Sequence, residues 1–282
     1  MFRCAHFLSV VAATLLLALA PDSAATQSWR SVTMSRQLDQ EESLDVHVGF
    51  GAGQLSIRPG EAGTLYQMHL RYDEDSFNPV AEYDGKRLSL GVDATSHSIH
   101  WRKKEGQEME LFLARSVPMT LDLEFGAVQA DLDLGGLQIA RLELSTGASE
   151  SRVEFSEPNP VRMSSAHFQV GAADFHVRRI GNLNAERINV DAGVGNVVLD
   201  FRGEWQGDAQ VTVDFGLGAL ELRFPEGLGV QLVKDTFLTS LDSEGLVKRG
   251  DTYRSVDWEE AEHRVTVNVD AAFGSIDVVW MR

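Results

Sequence analysis

The apolar positions of this chain alternate with a period of two, and the alternation slips by one residue at a recurring glycine. The stretch from Val211 to Phe224 shows the pattern. Val211, Val213 and Phe215 precede Gly216; Leu220, Leu222 and Phe224 follow it. Period-two alternation marks a half-buried strand. A one-residue slip would send one arm's apolar side chains to the wrong face unless the backbone bends or bulges there. Glycine accommodates such a bend because it reaches positive φ without a Cβ clash. The pattern therefore predicts strand, glycine turn, strand.

Near-copies recur along the chain. Leu44, Val46, Val48 and Phe50 lead to Gly51, and Leu55 and Ile57 follow. Leu121, Leu123 and Phe125 lead to Gly126, Leu142 and Leu144 to Gly147, and Phe168 and Val170 to Gly171. Ile188, Val190 and Ala192 lead to Gly193, and a last copy runs from Val265 through Phe273 and Gly274 to Trp280. The predicted structural turn glycines are Gly51, Gly126, Gly147, Gly171, Gly193, Gly216 and Gly274. From Gly126 to Gly216 their spacings are 21, 24, 22 and 23 residues. A period of about 22 residues predicts a stacked array in which no unit buries its apolar face alone. The expected fold is an all-β solenoid of short strands.

Residues 61–118 depart from the period. Leu65–Tyr72, Asn78–Tyr83, Arg87–Leu90 and Met109–Ala114 read as strands, with Asp84-Gly85 as a hairpin turn. This part reads as an antiparallel hairpin cap or an insertion. Residues 26–43 read as a flexible lead-in with one strand from Trp29 to Met34. Residues 44–282 form the expected solenoid domain, with regular repeats over 119–224 and a closing region over 225–282. Trp258–His263 is expected to form a helical turn. No Pro-, Ser- or Gly-rich linker divides the chain.

The amino terminus changes the picture. Arg3 precedes an apolar run from Phe7 to Ala20, and Ser23-Ala24-Ala25 offers small residues for cleavage. The run is shorter than the roughly 20 residues of a spanning helix, so residues 1–25 read as a signal peptide cleaved near Ala25. An uncleaved anchor is the alternative. The expectation is a periplasmic or secreted protein. Cys4 is the single cysteine and lies within the signal, so no disulfide framework is expected.

The 282 residues carry 25 Lys and Arg against 42 Asp and Glu, a formal net charge of −17. This balance disfavours nucleic acid and anionic membrane surfaces. It permits a basic partner or divalent cations.

The run Val117–Ala127, with Leu134-Gly135-Gly136-Leu137, Leu142–Ala148, Phe224–Val230 and Gly274–Val278, resembles the toastrack family. That family comprises the β-solenoid domains of LiaF-like cell-envelope-response proteins and related adhesin-like proteins. The resemblance covers roughly residues 110–282, and 44–110 more weakly. It implies an extracytoplasmic β-solenoid without known catalysis. Many relatives are tied to membrane segments and envelope-stress signalling, whereas this chain carries a signal and no later spanning segment. The resemblance supplies no catalytic or ligand residues.

The residues themselves offer little catalytic chemistry. His97 and His100 lie three apart, which puts them on opposite faces of a strand. His47, His69, His167, His176 and His263 are isolated in sequence, and His47 and His167 are expected at the solvent face. No zinc spacing, nucleophile elbow or calcium nonapeptide occurs. The Gly49–Gly53 and Gly216–Gly218 runs join strand to strand, with no helix N-terminus to hold a phosphate.

Asp122, Glu124, Asp131, Asp133, Glu143, Asp191, Asp200, Asp214, Glu221, Asp270 and Asp277 alternate with core positions and are expected to point outward. Arg152, Arg178, Arg179 and Arg223 would relieve their repulsion. Stacked strands could align these acids into ladders for a cation, a basic ligand or glycan cleavage; a plain solvated face is the simpler outcome. Trp205 and Trp258 read as edge covers or sugar platforms, and Trp280 as core.

The sequence thus points to an exported, non-enzymatic binding or scaffold module of the cell envelope. No cofactor and no metal site are expected. The partner would be an envelope protein or a glycan, and self-association through solenoid edges is possible. Two rivals are a polysaccharide-active enzyme using the outward carboxylates and a self-associating adhesin-like surface protein.

Overall fold

The structure, a computed structural model, describes residues 28–95, 106–236 and 238–282. The signal segment, the His97/His100 pair and Trp101 lie outside the described residues.

Among the described residues the strands join in a single sixteen-stranded sheet. Its first part holds β1 (Trp29–Gln37), β2 (Leu44–Pro59), β3 (Thr64–Asp73), β4 (Phe77–Tyr83), β5 (Arg87–Ala94) and β6 (Glu108–Leu113). Regular rungs follow: β7 (Met119–Asp133), β8 (Ile139–Glu154), β9 (Ser165–Arg178), β10 (Arg187–Asp200) and β11 (Ala209–Pro225). The chain closes with β12 (Gly229–Thr236), β13 (Thr239–Asp242), β14 (Leu246–Arg249), β15 (Thr252–Ser255) and β16 (Arg264–Met281). The lead-in strand runs to Gln37, further than the expected Met34, because Val32 and Met34 pack on the core while β1 pairs β3. Trp258–Ala261 forms hydrogen-bonded turns.

Strands β2, β7, β8, β9, β10, β11 and β16 stack in parallel in that order. Each is one strand of 14 to 18 residues that passes through its glycine without a break. The two arms read from the sequence are therefore halves of one bent strand, and the glycine is a corner, not a chain reversal. Both arms face one core. Val211, Val213 and Phe215 are buried on one side of the corner, and Leu220, Leu222 and Phe224 on the other. The residues between Phe215 and Leu220 lie outside the core, which is the physical content of the parity slip.

At both ends the bent sheet forks. The first arm of β2 pairs β5, which pairs β4 antiparallel; the second arm pairs β6, which continues to β3 and β1. The first arm of β16 pairs β12, and the second pairs β13. The polar region around 240–260 contains β13, β14 and β15, with β14 and β15 antiparallel.

In the loops between rungs, buried amides take over the hydrogen bonding. Asn159 donates to the carbonyls of Ile139 (2.8 Å) and Leu183 (3.2 Å). Asn182 donates to Phe155 (2.7 Å) and accepts from the Glu204 N–H (2.7 Å). Each side chain thereby satisfies backbone groups that would otherwise be buried without partners.

The register explains the glycines differently from the sequence expectation. Gly51, Gly126, Gly147, Gly171, Gly193 and Gly216 form one row across the sheet. None of the six has positive φ. What excludes a side chain is the preceding rung: a Cβ on Gly126 would lie 2.1 Å from the Gly51 carbonyl oxygen, and one on Gly216 would lie 2.3 Å from that of Gly193. Gly274 does not belong to this row. It pairs Gly218, and Ala272 holds the row on β16. Left-handed backbone appears two residues further on, at Gly53, Gly195, Gly218 and Gly274, with φ of 125°, 142°, 140° and 142°.

These distances set an order of tolerance. Gly218→Ala combines positive φ with a Cβ 1.8 Å from the Gly195 carbonyl, so it should cost more than about 2 kcal/mol. Gly216→Ala should cost about 1–3 kcal/mol from the backbone clash alone. Gly51→Ala, which meets nothing within 4 Å, should stay within about 0.5 kcal/mol of wild type. Urea unfolding of the three variants checks the ranking.

Candidate functional site

Two regions of the outer surface combine shape with chemistry. The first is an open cleft of about 660 Å³ over the second arms of β2 and β7 and over β6, β3 and β1. In-register pairing places Glu108, Gln54 and Gln129 side by side across three strands, with Glu150 next on β8. Two planar amides thus sit between two carboxylates at strand spacing. His69 anchors the other wall: its Nδ1 lies 2.9 Å from Thr33 Oγ1 and its Nε2 3.0 Å from Gln67. Arg71 stacks over Trp29 at 4.4 Å, and Arg58 pairs Asp131 at 3.0 Å. Paired donors and acceptors on a rigid sheet can bind vicinal hydroxyls.

The second region follows the corner. An open furrow of about 740 Å³ runs over the glycine row from β2 to β10, and a continuation covers β11 and β16. Beside it stands an unbroken acidic ladder: Asp191 pairs Asp214, Asp214 pairs Asp270, and Asp270 pairs Asp235. Partial burial pushes the Asp214 carboxyl above the ordinary range. The charge of Asp191, a hydrogen bond with that carboxyl, and the charge of Asp270 push the same way.

The histidines are not isolated in space. His167 lies between Glu143 (Nδ1, 3.1 Å) and Asp191 (Nε2, 2.6 Å). His176 Nε2 meets Asp174 at 2.9 Å, and His47 Nδ1 meets Asp122 at 2.9 Å. His47 and His167 stand on the outer face, partly covered by these carboxylates. Ligand atoms of His47, Asp122 and Glu124 lie within 4.8 Å of one another, so this trio could hold a divalent ion. A repeat offset was the available signal: Glu143, His167 and Asp191 lie 24 residues apart in steps of one rung.

Most of the outward acids stand where expected, and the arginines pair them: Arg152 with Glu150 at 2.7 Å, Arg223 with Glu221 at 2.6 Å, and Arg178 and Arg179 with Glu154 at 3.4 Å. Asp200 is the correction. Its side chain is 1% exposed and takes a two-pronged contact from Arg202, with Nε at 2.9 and 3.0 Å from its two oxygens. Burial raises its pKa, but hydrogen bonds from the Arg202 side chain and backbone and the nearby arginine charges outweigh it and hold the carboxyl below the ordinary range. The tryptophans act as covers. Trp205 stacks on Phe201 and donates to its carbonyl at 2.9 Å. Trp280 is half-buried rather than core; it tilts against Phe224 and donates to the Glu244 carbonyl at 2.8 Å. Trp258 takes Arg254 and Arg264 on its ring.

Asp200 and Asp214 are shifted in opposite directions and predict opposite responses. Asp200 has a depressed folded pKa, so its stabilisation is present above the unfolded pKa and is lost as pH falls through the folded one. Asp200→Asn should cost about 1–3 kcal/mol at pH 7, and its deficit should shrink below about pH 4. Asp214 has a raised folded pKa, so its ionised form opposes folding. Asp214→Asn should raise stability at pH 7, with the gain fading in acid. Urea titrations of both variants across pH check the signs.

A family model described as the N-terminal domain of toast_rack, DUF2154, matches residues 23–178, more than half of the chain. No curated protein matches the sequence. A solved candidate cell adhesion protein from Clostridium sporogenes is 18% identical, with a TM-score of 0.48 over 90% of this chain and 100% of that one. A candidate adhesin from Bacteroides fragilis is 8% identical, with a TM-score of 0.28 over 89% and 97%. One from Parabacteroides merdae is 10% identical, with a TM-score of 0.21 over 89% and 96%. On its sequence match and its all-β sheet, the chain belongs to the toast_rack family.

Proposed function

We propose that this protein is an exported, non-enzymatic binding module of the cell envelope whose ligand is a glycan held in the cleft over β1, β3, β6, β2 and β7. The observation that carries the reading is the Glu108–Gln54–Gln129 row on the cleft floor. Carboxylates and planar amides at fixed strand spacing each offer two hydrogen-bonding atoms, which suits neighbouring sugar hydroxyls. A floor built on paired strands holds them at low entropic cost.

Other observations agree with this reading. The chain's family is described by its fold rather than by a reaction. Among the described residues no helix is long and apolar enough to cross a membrane. The apolar leader fits a role outside the cytoplasm.

A glycan array and pull-down of envelope polysaccharide, each with and without calcium, test the reading. Wild type should retain a defined set of neutral or amino-sugar glycans. The double variant Gln54→Ala, Gln129→Ala should lose about tenfold or more in affinity while melting at the wild-type temperature. Absence of any glycan retention, or retention indifferent to the double variant, would sink it.

A further inference from the structure

On the last three rungs, β10, β11 and β16, the surface carries a second feature. The position after the glycine row is Ala52, Ala127, Ala148 and Ala172 on β2 to β9. On β10, β11 and β16 it becomes Val194, Leu217 and Phe273. Leu238, whose carbonyl accepts the Gly274 N–H at 3.4 Å, extends the row. These four side chains are 51%, 50%, 45% and 69% exposed. Single exposed apolar residues are ordinary, but a contiguous row of large ones marks an interaction surface.

Three residues back along the same strands stands the ladder Asp191, Asp214, Asp270 and Asp235. Gly193, Gly216 and Ala272 form the floor between. The aspartates line the furrow, and the apolar row stands just beyond its glycine floor, three residues further along the same strands.

Charge and geometry select the occupant. A second copy of this chain would bring a net charge of −17 and an identical aspartate ladder, so like charges oppose self-docking. An anionic bilayer meets the same repulsion. An added strand has nothing to pair with, because the furrow lies in mid-strand, where the β10–β11 and β11–β16 ladders already use the backbone groups. A helix fits. The acidic and apolar rows are three residues apart, at most about 10 Å along a strand, so a helix about 10–12 Å across reaches both. A helical turn of about 5.4 Å lies near the strand spacing of about 4.8 Å, so successive turns can address successive rungs.

We propose that this furrow is the docking surface for a basic amphipathic helix of a partner protein, which lays apolar side chains on Val194, Leu217 and Leu238 and runs Lys or Arg side chains along Asp191, Asp214 and Asp270. A cationic partner also counters the burial and the neighbouring aspartate charges that hold the Asp214 carboxyl up. This surface is separate from the polar cleft, so its test stands apart from that of the glycan reading.

The probe is a fluorescein-labelled synthetic Leu/Lys helix of about five turns, titrated with the mature full-length chain at physiological salt and followed by anisotropy. The comparison peptides are a Leu/Glu helix, a Lys-only peptide and a scrambled Leu/Lys peptide. The Leu/Lys helix should bind best. Val194→Ser with Leu217→Ser, and separately Asp214→Asn with Asp270→Asn, should each weaken it by about tenfold or more. Thermal melts identify any variant that fails to fold; Leu217→Gln alone serves as the milder substitute, with a loss of at least about threefold expected. Equal binding of the scrambled, Lys-only or Leu/Glu peptide overturns the proposal. So does Leu/Lys binding that neither folded variant pair weakens, or association with anionic vesicles in place of the peptide.

Discussion

The approach of neighbouring backbones at the corner governs this protein. Seven bent strands stack in register, and on the rungs from β7 to β11 the corner residue faces the carbonyl of the rung before it. A Cβ on Gly126 or Gly216 would stand at 2.1 or 2.3 Å from that oxygen, and one on Gly171 at 2.8 Å. No rotamer change relieves a backbone contact of this kind. The first rung proves the direction of the constraint, since Gly51 lies at the fork and a Cβ there meets nothing. The glycines exist because strands stack, and the stacking closes the core that each rung alone would leave open.

The same registration decides what the outside can be. In a parallel in-register stack every outward position becomes a row, so like residues on consecutive rungs become like neighbours in space. Where acids recur, the protein mostly breaks the row with arginine, as with Arg152 beside Glu150 and Arg223 beside Glu221. The ladder from Asp191 to Asp235 is left unbroken, and the folded state carries the cost at Asp214. Maintaining that repulsion beside an exposed apolar row is a poor solution for stability alone.

Alternation made the strands and the core legible in sequence, because a half-buried strand writes its burial directly into every second residue. The core residues from Leu44 to Val278 follow that pattern almost without exception. The glycine was legible as a bend but not as a contact. A local reading attributes Gly216 to its own φ, whereas the cause is a carbonyl on Gly193, one repeat away. The register of β16 was misread for a related reason: Gly274 is the visible glycine, while Ala272 fills the corner row. Asp200 was read as outward because its parity is outward, and only the fold brings Arg202 and Arg223 around it. The loop amides Asn159 and Asn182 escaped notice because alternation says nothing about turns. Their partners, like those of His167, lie roughly one repeat away in sequence.

The candidate sites join residues far apart in sequence, which is why composition and local motifs were silent about them. The Glu108–Gln54–Gln129 row joins residues more than 50 positions apart in part of its length, and no local pattern links them. The two candidate surfaces also use the corner differently. From β7 to β9 the position two past the glycine row is Val128, Ser149 or Ala173, without positive φ; on β2 it is Gly53 with φ of 125°, and from β10 onward it is glycine with φ near 140°. Large apolar side chains enter the ridge where that change occurs. A repeat array that enlarged its ridge residues on three successive rungs, while keeping core and register constant, has separated the positions that hold the stack together from those that are free to meet something else.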